Sequence, residues 1–137
     1  MAKYIVTLLW LTLICSPIAH SADRPRISAE EAKSLVIAGL PLKTRQLPQF
    51  EVDQDKEGQP GGEYYNFYAL WAGLPNGSVT IGTYAVDPST GDVFDSAMEC
   101  EELSTPELQK LQATLRSKIG LSDSEYHTIK KKGPLCG

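Results

Sequence analysis

The chain has 137 residues, of which 42% are apolar and 22% charged, and its formal net charge is −4. These values exclude a disordered chain and leave room for one ordinary domain with its own core. The acid excess argues against a nucleic-acid grip, which needs Lys and Arg clustered against phosphate.

Residues 1–21 read as a removable export signal. Lys3 supplies the basic start, Tyr4 to Ile14 the apolar stretch, Pro17 the helix breaker, and Ala19 and Ser21 the small residues at the peptidase site. The apolar run is too short for a permanent span. A second possibility is lipidation at Cys15, which Ile14 disfavours because a small residue belongs before the acylated cysteine. Cleavage leaves 116 residues and, with Lys3 gone, a net charge of −5. The expected location is periplasmic or secreted, with residues 22–137 as a single domain and no membrane span after cleavage.

Ser28-Ala29-Glu30-Glu31 is a capping box. Ala29, Ala32, Leu35 and Val36 then follow at helical spacing, so a first helix is expected over Ala29–Ala38 with Gly39 as its stop. Leu40–Pro48 contains two prolines and reads as a connection. Phe50–Gln54 is a short strand, and Asp53–Gly62 an acidic loop. Glu63–Ala72 is dense in aromatics and alternates as a strand, with Tyr65, Phe67, Ala69 and Trp71 on one face. Gly73–Gly77 is a turn, Ser78–Val86 a strand, Asp87–Gly91 a turn, and Asp92–Asp95 the start of another strand. Short turns predict an antiparallel meander. Thr105-Pro106 opens a helix striped by Leu108, Leu111, Leu115 and Ile119 and stopped by Gly120. Ser122–Glu125 is a second capping box, leading into a last helix with Tyr126 and Ile129. The expected fold class is α+β: an N-terminal helix packed on a three- to four-stranded antiparallel sheet, then a C-terminal helical pair tied by a disulfide.

The bridge comes from cysteine arithmetic. Only Cys100 and Cys136 survive cleavage, and an oxidising compartment pairs them most simply. The ring of about 37 residues is worth about 4 kcal/mol in the chain-entropy model. The alternative is a thiol nucleophile or a metal pair, but nothing before Cys136 lowers its pKa.

The helix beginning Ile27-Ser28-Ala29-Glu30-Glu31-Ala32, the strands, and the run Tyr84-Ala85-Val86-Asp87-Pro88-Ser89-Thr90-Gly91-Asp92-Val93 together resemble the PepSY family over about residues 27–95. The resemblance implies a helix packed across an antiparallel sheet and a non-catalytic exported module that binds or restrains partners such as peptidases. It implies no catalytic residues. The acidic 53–62 loop and the helical tail depart from the family.

Several residues invite chemistry. Asp53, Asp55, Glu57 and Gly58 open like a calcium loop, but the closing acid should stand at Tyr64 and Glu63 comes one residue early. A solvated acidic loop is the simpler account. Asp87, Asp92 and Asp95 cluster around one turn and could do acid–base work, although Asp87 and Asp92 more simply make turn hydrogen bonds. His127 is the only histidine left after cleavage, too few for a histidine-based zinc site. Lys130, Lys131 and Lys132 oppose a helix dipole, with an anionic partner as the alternative. Asn76-Gly77-Ser78 has the form of a glycosylation sequon and reads as a tight turn. Leu74 and Pro75 place apolar side chains at a hairpin tip, the candidate partner contact; the alternative is a Leu74 folded back on the sheet.

No catalytic, cofactor-binding or metal-binding residue is assigned, and no cofactor is expected. The expected function is a non-enzymatic exported binding module that restrains or inhibits a protein partner such as a peptidase. The alternatives are an immunity or inhibitor protein against a cell-wall-degrading enzyme, and a small hydrolase using Asp87, Asp92 and Asp95. N-terminal sequencing of the exported protein should find Ala22 first; a lipid-bearing start at Cys15 would overturn the location and the cysteine count together.

Overall fold

The computed structural model describes residues 24–56, 63–75 and 77–134. The elements run α1 (Ala29–Gly39), α2 (Leu42–Arg45), β1 (Glu51–Gln54), β2 (Tyr65–Leu74), β3 (Gly77–Val86), β4 (Val93–Asp95), β5 (Glu101–Glu102), α3 (Pro106–Lys118) and α4 (Asp123–Lys130). The expected export segment, and Cys136, lie outside the described residues. None of the helices among the described residues is long and apolar enough to cross a membrane.

Both capping boxes form. Ser28 accepts from the Glu31 amide and Glu31 reaches back to the Ser28 amide; Ser122 and Glu125 do the same for α4. The Thr105 hydroxyl accepts from the Leu108 amide at 3.1 Å and donates to the Ala38 carbonyl at 2.7 Å, so one side chain starts α3 and ties it to the end of α1. Gly39 is helical and does not supply the left-handed stop expected of it; Leu40 ends α1 in extended geometry. Its lack of a side chain serves packing instead. A Cβ there would stand 3.1 Å from Leu103 Cδ1 and 3.3 Å from Leu108 Cδ2.

The fold is α+β, with three corrections to the sequence expectation. The sheet has five antiparallel strands in the order β1-β2-β3-β4-β5, not three or four. The connection after α1 contains the extra helix α2. Among the described residues the helical tail is held by packing and polar contacts, described below, and the predicted disulfide is not one of them. Cys100 is engaged and is no free thiol, but a bridge to Cys136 is not among the described contacts.

Cross-strand register sets two faces. Val52, Ala69 and Gly82 share one row, Phe67 and Tyr84 the next, and Tyr65, Val86 and Val93 a third. α1 lies across this face and touches β1, β2, β3 and β4. It buries Leu35 and Val36 among Val52, Phe67, Ala69, Val86 and Val93. α3 packs on α1 and adds Leu108 and Leu115 to the same core. The opposite face carries Asp53, Tyr68 and Thr83 in one row and Asn66, Ala85 and Phe94 in another. Among the described residues it is covered at one end, where Tyr64 stands edge-on to Phe94 at 6.1 Å and Ile129 and Pro134 line the same recess.

A register shift between Ala69 and Leu70 departs from simple alternation. Ala69 faces Gly82 but Leu70 faces Thr80, so Ile81 is the extra residue. Val79 therefore pairs with Trp71 and shares the face of Phe67 and Ala69. Simple alternation would have put it on the side of Ala85.

Gly91 closes the turn before β4 at φ +76, where a Cβ would lie 2.9 Å from Ile27 Cδ1. Left-handed geometry and core crowding then act together. Gly91→Ala should cost about 2–4 kcal/mol, the sum of roughly 1 for the backbone and 1–3 for overpacking. The shift of the urea midpoint checks it.

Candidate functional site

The turn between β3 and β4 gathers the aspartates singled out from the sequence, and each has a different job. Asp87 Oδ1 accepts from the Ser89 amide at 2.8 Å and the Ser89 hydroxyl at 2.6 Å, while its carbonyl accepts from the Gly91 amide at 2.7 Å. This is the local turn role expected of it. Asp95, at the end of β4, accepts from the Ala97 amide at 3.0 Å. Asp92 makes its local turn bonds through its backbone, donating to the Thr90 hydroxyl at 3.2 Å and accepting from the Asp87 amide at 2.9 Å, but its side chain reaches elsewhere. Its residue is only 4% exposed, and its Oδ1 accepts from Arg116 at 2.7 Å and from the Tyr126 hydroxyl at 3.0 Å.

Two helices thus converge on one carboxylate oxygen. α3 supplies Arg116, whose Nε also donates to the Thr90 carbonyl at 2.8 Å, and Gln112, whose amide donates to the Gly91 carbonyl at 2.9 Å. α4 supplies Tyr126, over whose ring the Arg116 guanidinium sits 3.8 Å from the centroid. Lys130 then donates to the Tyr126 hydroxyl at 3.0 Å and to both oxygens of Glu102 at 2.6 and 2.8 Å. A chain of polar contacts therefore runs from the turn through both tail helices to β5.

Burial pushes the Asp92 carboxyl above the ordinary aspartate range, and the opposing pull of Arg116 and Lys130 does not cancel it. Burial also raises the Tyr126 phenol, against the nearby Lys130. Burial alone would lower the Lys130 ammonium, but Glu102, Tyr126 and Asp92 outweigh it and the net shift is upward. A raised aspartate pKa is the mark expected of a catalytic acid. Here its cause is the burial of an inward-turned carboxylate, which Arg116 and Tyr126 oppose.

Beside this network lie two adjoining hollows. The smaller, about 110 Å³, is lined by Asp92, Phe94, Glu102 and Lys130 among others. The larger, about 570 Å³, opens between Arg24, Arg26, Glu63, Tyr64, Asp87 and Lys132. Its cations are partly spent. Arg24 pairs with Glu125, and Arg26 donates to the Glu63 carbonyl at 3.1 Å.

The other candidates stand apart from this centre. The residues of the acidic loop from Glu57 to Gly62 lie outside the described residues. Asp55 there accepts from the Tyr68 hydroxyl at 2.9 Å. No group of acidic, His or Cys side chains among the described residues is arranged to hold a metal. His127 is exposed, with its ring 5.6 Å from that of Tyr126. Lys131 and Lys132 are exposed at the end of α4, and Lys130 is committed to Glu102. Pro75 is exposed at the end of the β2–β3 hairpin; the side chain of Leu74 and the whole of Asn76 are outside the description.

That hairpin overhangs its sheet. β1 pairs with β2 as far as Leu70, and β4 pairs with β3 from Tyr84. Trp71, Gly73, Pro75 and Val79 lie in the projecting part, with Val79 39% exposed. Trp71 covers Gly73 so closely that a Cβ there would stand 1.8 Å from its ring. Sequence patterning pointed to the tip but not to the overhang, whose extent follows from how short β1 and β4 are.

No family model and no curated protein matches the sequence. Among solved structures the chain is similar to one chain in the structure of a type VI secretion system effector–immunity complex from Pseudomonas protegens. The identity is 25% and the TM-score 0.58, and the likeness covers 82% of this chain and 91% of that one.

Removing the Asp92 carboxylate strands a partly buried Arg116. Asp92→Ala should cost about 3–5 kcal/mol, whereas Asp87→Ala should cost about 1 kcal/mol, the worth of ordinary turn hydrogen bonds. The pH dependence carries a sign. A folded-state pKa raised above the unfolded value means that Asp92 contributes stability below the unfolded pKa and loses it as pH rises through the folded one. The Asp92→Asn penalty, read from paired denaturation curves, should therefore be smaller at about pH 7 than at about pH 4.

Proposed function

We propose that the protein is an exported, non-enzymatic binding protein of the immunity or inhibitor kind, which holds a protein partner and blocks its action. The observation that carries this is the likeness to a chain of an effector–immunity complex, spread over most of both chains. The inhibitor side of such a pair suits these residues better than the toxin side. Asp92 is consumed by Arg116 and Tyr126, and Asp87 and Asp95 by backbone amides of their own turns. The hydrolase alternative would need one of them free to meet a substrate.

The periplasmic or secreted location rests on the export pattern of residues 1–21. A partner met outside the cytoplasm fits an acidic chain of this size. PepSY-like restraint of a peptidase is a second reading of the same class, favoured by α1 lying across four strands of the sheet.

Co-production decides between holding a partner and acting alone. Cells that direct a toxic effector enzyme from the same genome to the periplasm should regain growth when this chain is co-exported. The two proteins should co-elute with a dissociation constant of about 10 nM or tighter, the range of dedicated inhibitors. Failure of every such effector to bind at micromolar concentration, or substrate turnover by this chain alone, would overturn the proposal.

A further inference from the structure

We propose that the outer edge of β3 between Gly77 and Gly82 is a strand-docking site. It takes an extended segment of the protein partner, laid antiparallel to β3, with a basic residue at its amino-terminal end and no other charge. The partner's being another protein rests on the immunity reading above; the edge itself rests on the geometry below.

β3 is a long strand with a short neighbour. It pairs with β2 along its length, but β4 meets it over Tyr84–Val86, and Ser96 adds one bond to the Thr83 carbonyl at 2.9 Å. Among the described residues no strand lies beside Gly77–Gly82 on the side away from β2. Those outward backbone groups are a ready template for another chain.

Proteins ordinarily blunt such edges with charge, proline or brevity. The two outermost strands of this sheet follow that practice. β1 carries Glu51 and Asp53, and β5 consists of Glu101 and Glu102. β3, Gly77–Val86, has no charged residue and no proline. Its bare stretch holds Val79, Thr80 and Ile81, residues that favour strand pairing. Val79 is 39% exposed, and Met98, in the turn that follows β4, is 61% exposed.

Charge selects the occupant. An incoming antiparallel strand would continue the line of β4, so its first residue abuts the β4–β5 turn. That turn presents Glu99 and Glu101, both exposed and both without an ion pair among the described residues. A second copy of this chain would bring an uncharged β3 to the same place and leave these acids unanswered. A segment beginning with Lys or Arg answers them.

The test uses a synthetic probe and the isotope-labelled chain. The probe is the peptide Lys-Thr-Val-Thr-Val-Thr, acetylated and amidated at its ends. On titration it should shift the amide signals of Gly77–Gly82 and slow their hydrogen exchange. A version N-methylated at alternate residues should lose at least tenfold in affinity, because methylation removes the ladder donors. Exchanging the peptide's Lys for Glu, or Glu99→Gln with Glu101→Gln in the chain, should weaken binding about threefold. No shift up to about 5 mM peptide, shifts confined to other residues, or equal binding of the methylated peptide would overturn the proposal. So would a dimer of the chain alone with these amides already protected, since the occupant would then be a second copy. In a complex with an effector enzyme the same amides should be protected. Protection elsewhere in a stable complex overturns the edge assignment and leaves the immunity reading standing. Peptide docking without any effector binding does the reverse.

Discussion

One buried carboxylate organises this molecule. Asp92 sits where β3 turns into β4, and the fold spends two helices in answering it. Without Arg116 and Tyr126 the charge would be uncompensated in a site of low polarity, a cost of several kcal/mol. With them, the turn, α3 and α4 become one unit. Gln112 and the Arg116 Nε satisfy the Gly91 and Thr90 carbonyls at the same turn, so the backbone there needs no water. The raised pKa of Asp92 shows that burial still weighs more than the pairing. Such a site is weak as a source of net stability but a selector of geometry, because moving α3 or α4 would break hydrogen bonds to a buried carboxylate and to the turn carbonyls.

That selection explains how a short final helix stays docked. α4 spans Asp123–Lys130 and has no fully buried residue of its own, and a helix of that length is marginal in isolation. Tyr126 on Asp92, Lys130 on Glu102 and Arg24 on Glu125 anchor it at three points. The bidentate pair of Arg45 with Glu107, at 3.1 and 2.7 Å, does similar work between α2 and α3. These contacts hold the tail through side chains other than cysteines, where the sequence pointed to a bridge between Cys100 and Cys136.

What could be read from the sequence was what is local. The boxes at Ser28 and Ser122 are four-residue patterns, and Thr105-Pro106 announces its helix in two residues. Alternation placed Phe67 and Ala69 on the core face. The turn role of Asp87 is also local, because its acceptor serves an amide two residues away. The role of Asp92 is not: Arg116 lies far along the chain, and no spacing rule joins them. β5 was missed because Glu101-Glu102 has neither apolar alternation nor β propensity, and only pairing with Phe94 and Asp95 makes it a strand. α2 was missed because four residues beside a proline carry no period. The bulge at Ile81 was missed for a related reason: alternation assumes that every residue has one partner.

The bulge and the overhang belong together. A two-stranded ribbon is marginal in water without a third strand or a packed face, and among the described residues no strand flanks the projecting part of β2 and β3, where the Ala72 amide donates to the Pro48 carbonyl at 3.0 Å. A bulge such as that at Ile81 adds local twist to its strand. Trp71 lies over Gly73 and restores apolar contact at a residue that has no side chain of its own. The ribbon is thereby preorganised but left unpaired along one side, and a partner that binds it meets a template with little ordering left to be done. The rest of the molecule supplies the rigidity this needs. α1 clamps four strands from one face, and the Asp92 network fixes the turn at the opposite end of β3. The strand is thus held firmly at Tyr84–Val86 and bare at Gly77–Gly82, so the docking edge extends from the most constrained part of the sheet.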